Sequence, residues 1–95
     1  MPSRISEDTI NDIRRQVDIV DVISEYVRLE KTGQNYKGLC PFHKEKTPSF
    51  VVNPAKQIFH CYGCGKGGNA FTFLREHEKY SFPEAIRALA KRLGI

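Results

Sequence analysis

Two short motifs carry the reactive side chains of this 95-residue chain. Cys40-Pro41-Phe42-His43 is C-x-x-H and Cys61-Tyr62-Gly63-Cys64 is C-x-x-C, with seventeen residues between them. Each motif is short enough for a tight turn to aim two donors at one point. Three thiolates and one imidazole fill a tetrahedron, the usual ligation of a structural zinc ion. Soft thiolates favour zinc over magnesium or calcium, and four protein ligands leave no open position for catalysis. Gly63 and Gly65 suit a sharp turn in which backbone N–H groups face the sulfurs.

Other readings of the second motif account for less. A redox C-x-x-C predicts a strand leading into a helix that begins at the first cysteine. Here Gly65-Lys66-Gly67-Gly68 delays the helix, and Cys40 and His43 would go unexplained. A phosphate-binding loop needs Ser or Thr after its lysine, whereas Lys66 is followed by Gly67. His60 is the competing imidazole, but on a strand it points to the opposite face from Cys61. His43 keeps the two-residue spacing and is the better ligand. His77 falls within a surface helix and reads as an ordinary solvated histidine.

A chain this short buries a limited core, and a metal is a common remedy. Three cysteines cannot all pair, no N-terminal run resembles a signal peptide, and no apolar run approaches a membrane span. The expected compartment is therefore reducing and cytosolic, where clustered cysteines hold metal. Charge is uneven. Residues 1–27 carry three basic and six acidic groups, net −3; residues 28–66 carry seven and two, net +5; residues 67–95 carry five and three, net +2. Positive charge thus concentrates on the segment that holds every cysteine.

The elements that must position these residues follow from periodicity and caps. Ser6 with Glu7 and Asp8 predicts a helix carrying Ile10, Ile13 and Val17. Asp18 starts a second, with Ile19, Val22, Ile23 and Tyr26 as its stripe. Extended runs are expected over 26–30 and 36–40, turning at 31–35, and over 49–53 and 57–62, turning at 53–56. That makes a sheet of three or four strands, one face covered by the N-terminal helices. Asn69 caps a helix to about Glu78 with Phe71, Phe73 and Leu74 inside. Ser81-Phe82-Pro83-Glu84 is a capping box for a last helix lined by Ala85, Ile86, Leu89 and Leu93, ended by Gly94. The expected class is α+β, a small antiparallel sheet flanked by helices: one domain over 1–95, with helices in 1–27, the sheet in 28–66 and helices in 67–95.

The sheet segment interleaves Tyr36, Phe50, Phe59, His60 and Tyr62 with Arg28, Lys31, Lys37, Lys44, Lys46, Lys56 and Lys66. Rings that stack on bases beside ammonium groups that track phosphates make a single-strand nucleic-acid surface. Alternation sends about half of these aromatics into the core. Phe50 and Val52 share a face that reads as core. Ile58, His60 and Tyr62 share the face opposite Phe59 and Cys61, and the pattern alone leaves open which is wet.

The runs 35–50 (NYKGLCPFHKEKTPSF) and 56–65 (KQIFHCYGCG), followed by Gly68-Asn69, resemble the N-terminal zinc-binding domain of bacterial DnaG-type DNA primases. The resemblance covers nearly the whole chain. It implies a zinc ribbon with Cys40, His43, Cys61 and Cys64 as ligands of one structural zinc. It also implies a parent enzyme that is a DNA-templated RNA polymerase making primers for replication, with this domain binding single-stranded template and helping to select the initiation site. Lys46, Lys56, His60 and Tyr62 become candidates for template contact, beside Lys37 and Lys66 from the basic segment. Implied partners are the template, the RNA polymerase domain of the same or a neighbouring primase and, through the parent protein, the replicative helicase, in the bacterial replisome and nucleoid. No membrane partner is expected. The acids lack a paired set on a strand end, so no catalytic or nucleotide-cofactor residue is expected here, and Mg²⁺ belongs to the polymerase domain alone. The alternative is a zinc-stabilised docking module contacting that domain or another replisome protein.

Overall fold

The computed structural model describes residues 6–44 and 46–95; residues 1–5 and Glu45 lie outside them. Helices α1 (Glu7–Gln16) and α2 (Ile19–Ser24) come first. Ser6 Oγ accepts from the Thr9 N–H and Asp18 Oδ1 from the Val20 N–H, so both caps act where the sequence places them. Five strands follow, β1 (Glu30–Thr32), β2 (Asn35–Gly38), β3 (Phe50–Asn53), β4 (Ile58–Cys61) and β5 (Gly67–Gly68), in antiparallel order β1-β2-β3-β4-β5. Helices α3 (Ala70–His77) and α4 (Phe82–Leu93) close the chain.

The α+β class is as expected, with three local corrections. The first extended run starts at Glu30 instead of Tyr26, because the Tyr26 and Val27 N–H groups still bond to Ile23 O at 2.9 Å. Tyr26 therefore lies in the turn after α2 rather than on its stripe. The second run stops at Gly38, and the turn shrinks to Gly33-Gln34, with Gly33 at φ +65°. The third correction is the strand count. Gly67 and Gly68 pair with His60 and Phe59 as a fifth strand. A Cβ on Gly67 would stand 2.9 Å from Phe59 O, so only glycine brings this backbone close enough.

The cover of the sheet also differs from expectation. Helix α3 is the one packed against β4 and β5, while α1 packs on α4 and α2 on α3. Physically, Asn69 turns the chain from β5 straight into α3, which pins that helix to the sheet. Its Phe73 meets Phe59 edge-on, 5.7 Å between centroids, and Phe50 stacks on Phe59 at 5.4 Å. All three rings are essentially buried. Each contributes roughly 1.5–3 kcal/mol of apolar burial. The N-terminal helices also share the core with the sheet: Ile13, Ile19, Val22 and Ile23 belong to the same buried cluster as Val52 and Phe59, and the Ile19 N–H donates to Gln57 Oε1 at 2.8 Å. The α4 capping box is complete, with Glu84 N donating to Ser81 Oγ (3.3 Å) and Ser81 N to Glu84 Oε1 (2.7 Å). Gly94 ends the helix at φ +75°.

Candidate metal centre and nucleic-acid face

Cys40 and His43 lie on the turn that follows β2, and Cys61 and Cys64 on the turn that ends β4. The antiparallel sheet sets the two turns side by side, since Gly38, Phe50 and Cys61 form one cross-strand row. The ligand atoms of all four residues lie within 4.8 Å of one another. Cys40 Sγ and Cys64 Sγ are 3.8 Å apart, and Cys61 Sγ is 4.0 Å from His43 Nδ1. Zinc–sulfur bonds of about 2.3 Å set tetrahedral sulfurs about 3.8 Å apart, whereas a disulfide needs about 2.05 Å. The donor set therefore fits a tetrahedral ion and forms no disulfide.

The turns are shaped around the sulfurs. The Phe42 N–H points at Cys40 Sγ and the Gly63 N–H at Cys61 Sγ, each at 3.4 Å. A Cβ on Gly63 would meet the His43 ring at 2.9 Å and Ser49 Oγ at 3.0 Å. Gly65, at φ +83°, lets Lys66 O accept from the Cys61 N–H at 2.8 Å. The thiols differ. Burial pushes Cys40 up to about 12, the Phe42 N–H only partly offsetting it. At Cys61 burial also opposes the thiolate, but the Cys64 and Gly63 N–H groups outweigh it and lower the thiol. A dication at this point would supply the charge that holds all three sulfurs as thiolates.

The remaining candidates separate by sheet face. The inner face holds Phe50, Val52, Phe59 and Cys61, all buried, together with half-buried Tyr36. Phe50 and Phe59 are therefore unavailable to a ligand. The outer face carries the row Glu30, Lys37, Val51, His60 and Gly67. His60 is thus turned away from the metal cluster, its ring edge-on to Tyr62 with centroids 4.4 Å apart. Tyr62 is 73% exposed, a large aromatic left bare beside His60. Lys56 is exposed on the β3–β4 hairpin turn, and Lys46 on the loop entering β3. Neither they nor Lys37 have a carboxylate partner among the described residues.

Lys66 and His77 have partners that the sequence did not show. Lys66 is not in the outer row: its ammonium pairs with Glu76 at 2.7 Å and lies 5.7 Å from the Phe42 ring centre. The hydrogen bond between them raises the Lys66 pKa and lowers that of Glu76. His77 is not an ordinary solvated histidine. It stacks on Phe73 (5.2 Å, 10°), lies 4.9 Å from Tyr26, and bonds Glu78 at 2.8 Å. Phe42, inside the first metal turn, completes this ring cluster and ties the turn to α3. The only sequence signal for it was an aromatic residue between two ligands.

The family model described as CHC2 zinc finger matches residues 5–95. The chain belongs to the CHC2 zinc-finger family. Its relatives include the DNA primases of Geobacillus stearothermophilus, 64% identical, and Halalkalibacterium halodurans, 61% identical. Each match covers the whole of this chain but 16% of the relative. A crystal structure of the Aquifex aeolicus primase, comprising its zinc-binding and RNA polymerase domains, superposes with a TM-score of 0.86. It is 56% identical over 95% of this chain and 22% of that one. The resemblance to primase zinc-binding domains is thereby borne out, and this CHC2 zinc finger spans about one sixth of the curated relatives it matches. Among the described residues no helix is long and apolar enough to cross a membrane.

Proposed function

We propose that this CHC2 zinc finger is the template-binding module of a bacterial DNA primase. In this reading Cys40, His43, Cys61 and Cys64 hold one structural zinc, and the outer sheet face receives single-stranded DNA. Lys37, Lys46 and Lys56 meet phosphates while His60 and Tyr62 stack on bases, which helps to select where primer synthesis begins. The parent enzyme polymerises ribonucleotides with Mg²⁺ in a separate domain, in the cytoplasmic replisome. The polymerase domain of the same or a neighbouring primase is then the expected neighbour, and the helicase is reached through the parent protein. Lys66 leaves the contact set because Glu76 already neutralises it.

The observation that supports this most strongly is the 73% exposed Tyr62 ring against half-buried His60, on the sheet face that also carries Lys37, which has no carboxylate partner among the described residues. An uncovered ring in a charged setting costs apolar exposure that stacking on a base would remove. Fluorescence anisotropy of the zinc-loaded chain with a short single strand, at low and high salt, tests it. Binding should weaken with salt, and Lys37→Ala or Lys56→Ala should each reduce the logarithmic salt slope by about 0.7, one phosphate contact on a single strand. Lys66→Ala should leave the slope unchanged. Salt-independent affinity would overturn the reading.

A further inference from the structure

Beside Lys37, at one end of the outer row, the surface folds into an open cleft of about 520 Å³. The outward residues Glu30, Thr32 and Lys37 of β1 and β2 line one part, and Tyr26, Leu39 and Pro48 another. Its apolar part is unusually bare: Leu39 is 50% and Tyr26 38% exposed. Its polar part is unspent. Glu30 stands directly opposite Lys37 on the paired strands, yet the two form no ion pair among the described residues. A carboxylate acceptor, a hydroxyl and an ammonium donor beside apolar walls match a nucleobase, which has a flat apolar face and a polar edge. Lys37 belongs both to this cleft and to the outer row that carries His60, so a strand lying along that row would pass the cleft mouth.

We propose that the cleft receives one unstacked base of the bound strand, with its exocyclic amine on the Glu30 carboxylate. Cytosine, adenine and guanine carry such an amine; thymine does not. The cleft thus becomes the sequence-reading part of the interface, where the stacking pair is sequence-tolerant. This rests on the nucleic-acid reading above and deepens it.

The test compares an oligothymidylate with the same strand carrying one internal cytosine, adenine or guanine. At least one amine-bearing base should tighten binding roughly tenfold, the effect of one good polar base contact. In Glu30→Thr, which keeps a strand-forming residue on the exposed edge, that ratio should fall to about one while salt-dependent binding persists. Leu39→Ser should collapse the ratio in the same way, with zinc content unchanged in both variants. Equal affinity for all strands, or a preference that survives Glu30→Thr, overturns the cleft and leaves the sheet interface standing. If no strand binds in a salt-dependent way, both readings fall.

Discussion

The two faces of one sheet are made from neighbouring residues of the same strands and meet opposite fates. On β4, Phe59 and Cys61 point inward and are buried, while His60, with Tyr62 just beyond the strand, faces outward. The inner face is completed by the chain itself: Phe73 of α3 closes over Phe50 and Phe59. Among the described residues no comparable ring of a helix closes over the outer face. Alternation supplies both faces at once, and the placement of the helices, α3 foremost, decides which becomes core and which becomes surface.

The largest effect should come from the metal that clamps both faces at one end. Structural zinc sites contribute on the order of 10–16 kcal/mol, against roughly 5–15 kcal/mol for a domain's whole stability. Chelation, or Cys61→Ser, should abolish cooperative thermal unfolding monitored by circular dichroism. An unchanged melting curve after zinc removal would show that the aromatic core holds the sheet alone. Next comes the inner face itself. Phe59→Ala should cost about 3–5 kcal/mol by chemical denaturation, because α3 cannot follow the backbone into the cavity. A cost below that of a surface change would mean the inner row is not the core.

The smallest effect should lie farthest from both faces, at the α4 capping box. Ser81→Ala should cost about 1 kcal/mol without changing strand binding. Bonding to the Ser81 N–H and hydroxyl holds the Glu84 carboxyl below its ordinary range. A depressed carboxylate contributes stability above its unfolded pKa and loses it as pH falls through the folded value. Acid titration of stability should therefore lose a small component in Glu84→Gln, and an identical pH profile would contradict the box.

The helices were legible because their signals are local. Ser6, Asp18, Asn69 and Ser81 each cap the helix their side chain announces, and Gly94 stops the last. The two metal motifs were legible for the same reason, since each ligand pair sits on one turn. What failed depends on contacts distant in sequence. Gly67-Gly68 has no strand propensity and becomes β5 only because Phe59 and His60 lie beside it. The ion pair of Lys66 with Glu76, ten residues on, is likewise invisible in the local sequence. His77 reads as solvated until Tyr26 and Phe42 close around it. The wet face of the sheet stayed open because His60 and Phe59 are equally plausible inside until α3 is placed.

The most direct test of the central claim changes the outer face alone. Tyr62→Ala in the zinc-loaded chain should leave stability within about 0.5 kcal/mol, as an exposed side chain predicts. Single-strand affinity, measured in parallel by anisotropy, should fall by about 1–3 kcal/mol for the lost stacking platform. Unchanged affinity at unchanged stability would contradict the claim that this face holds the strand.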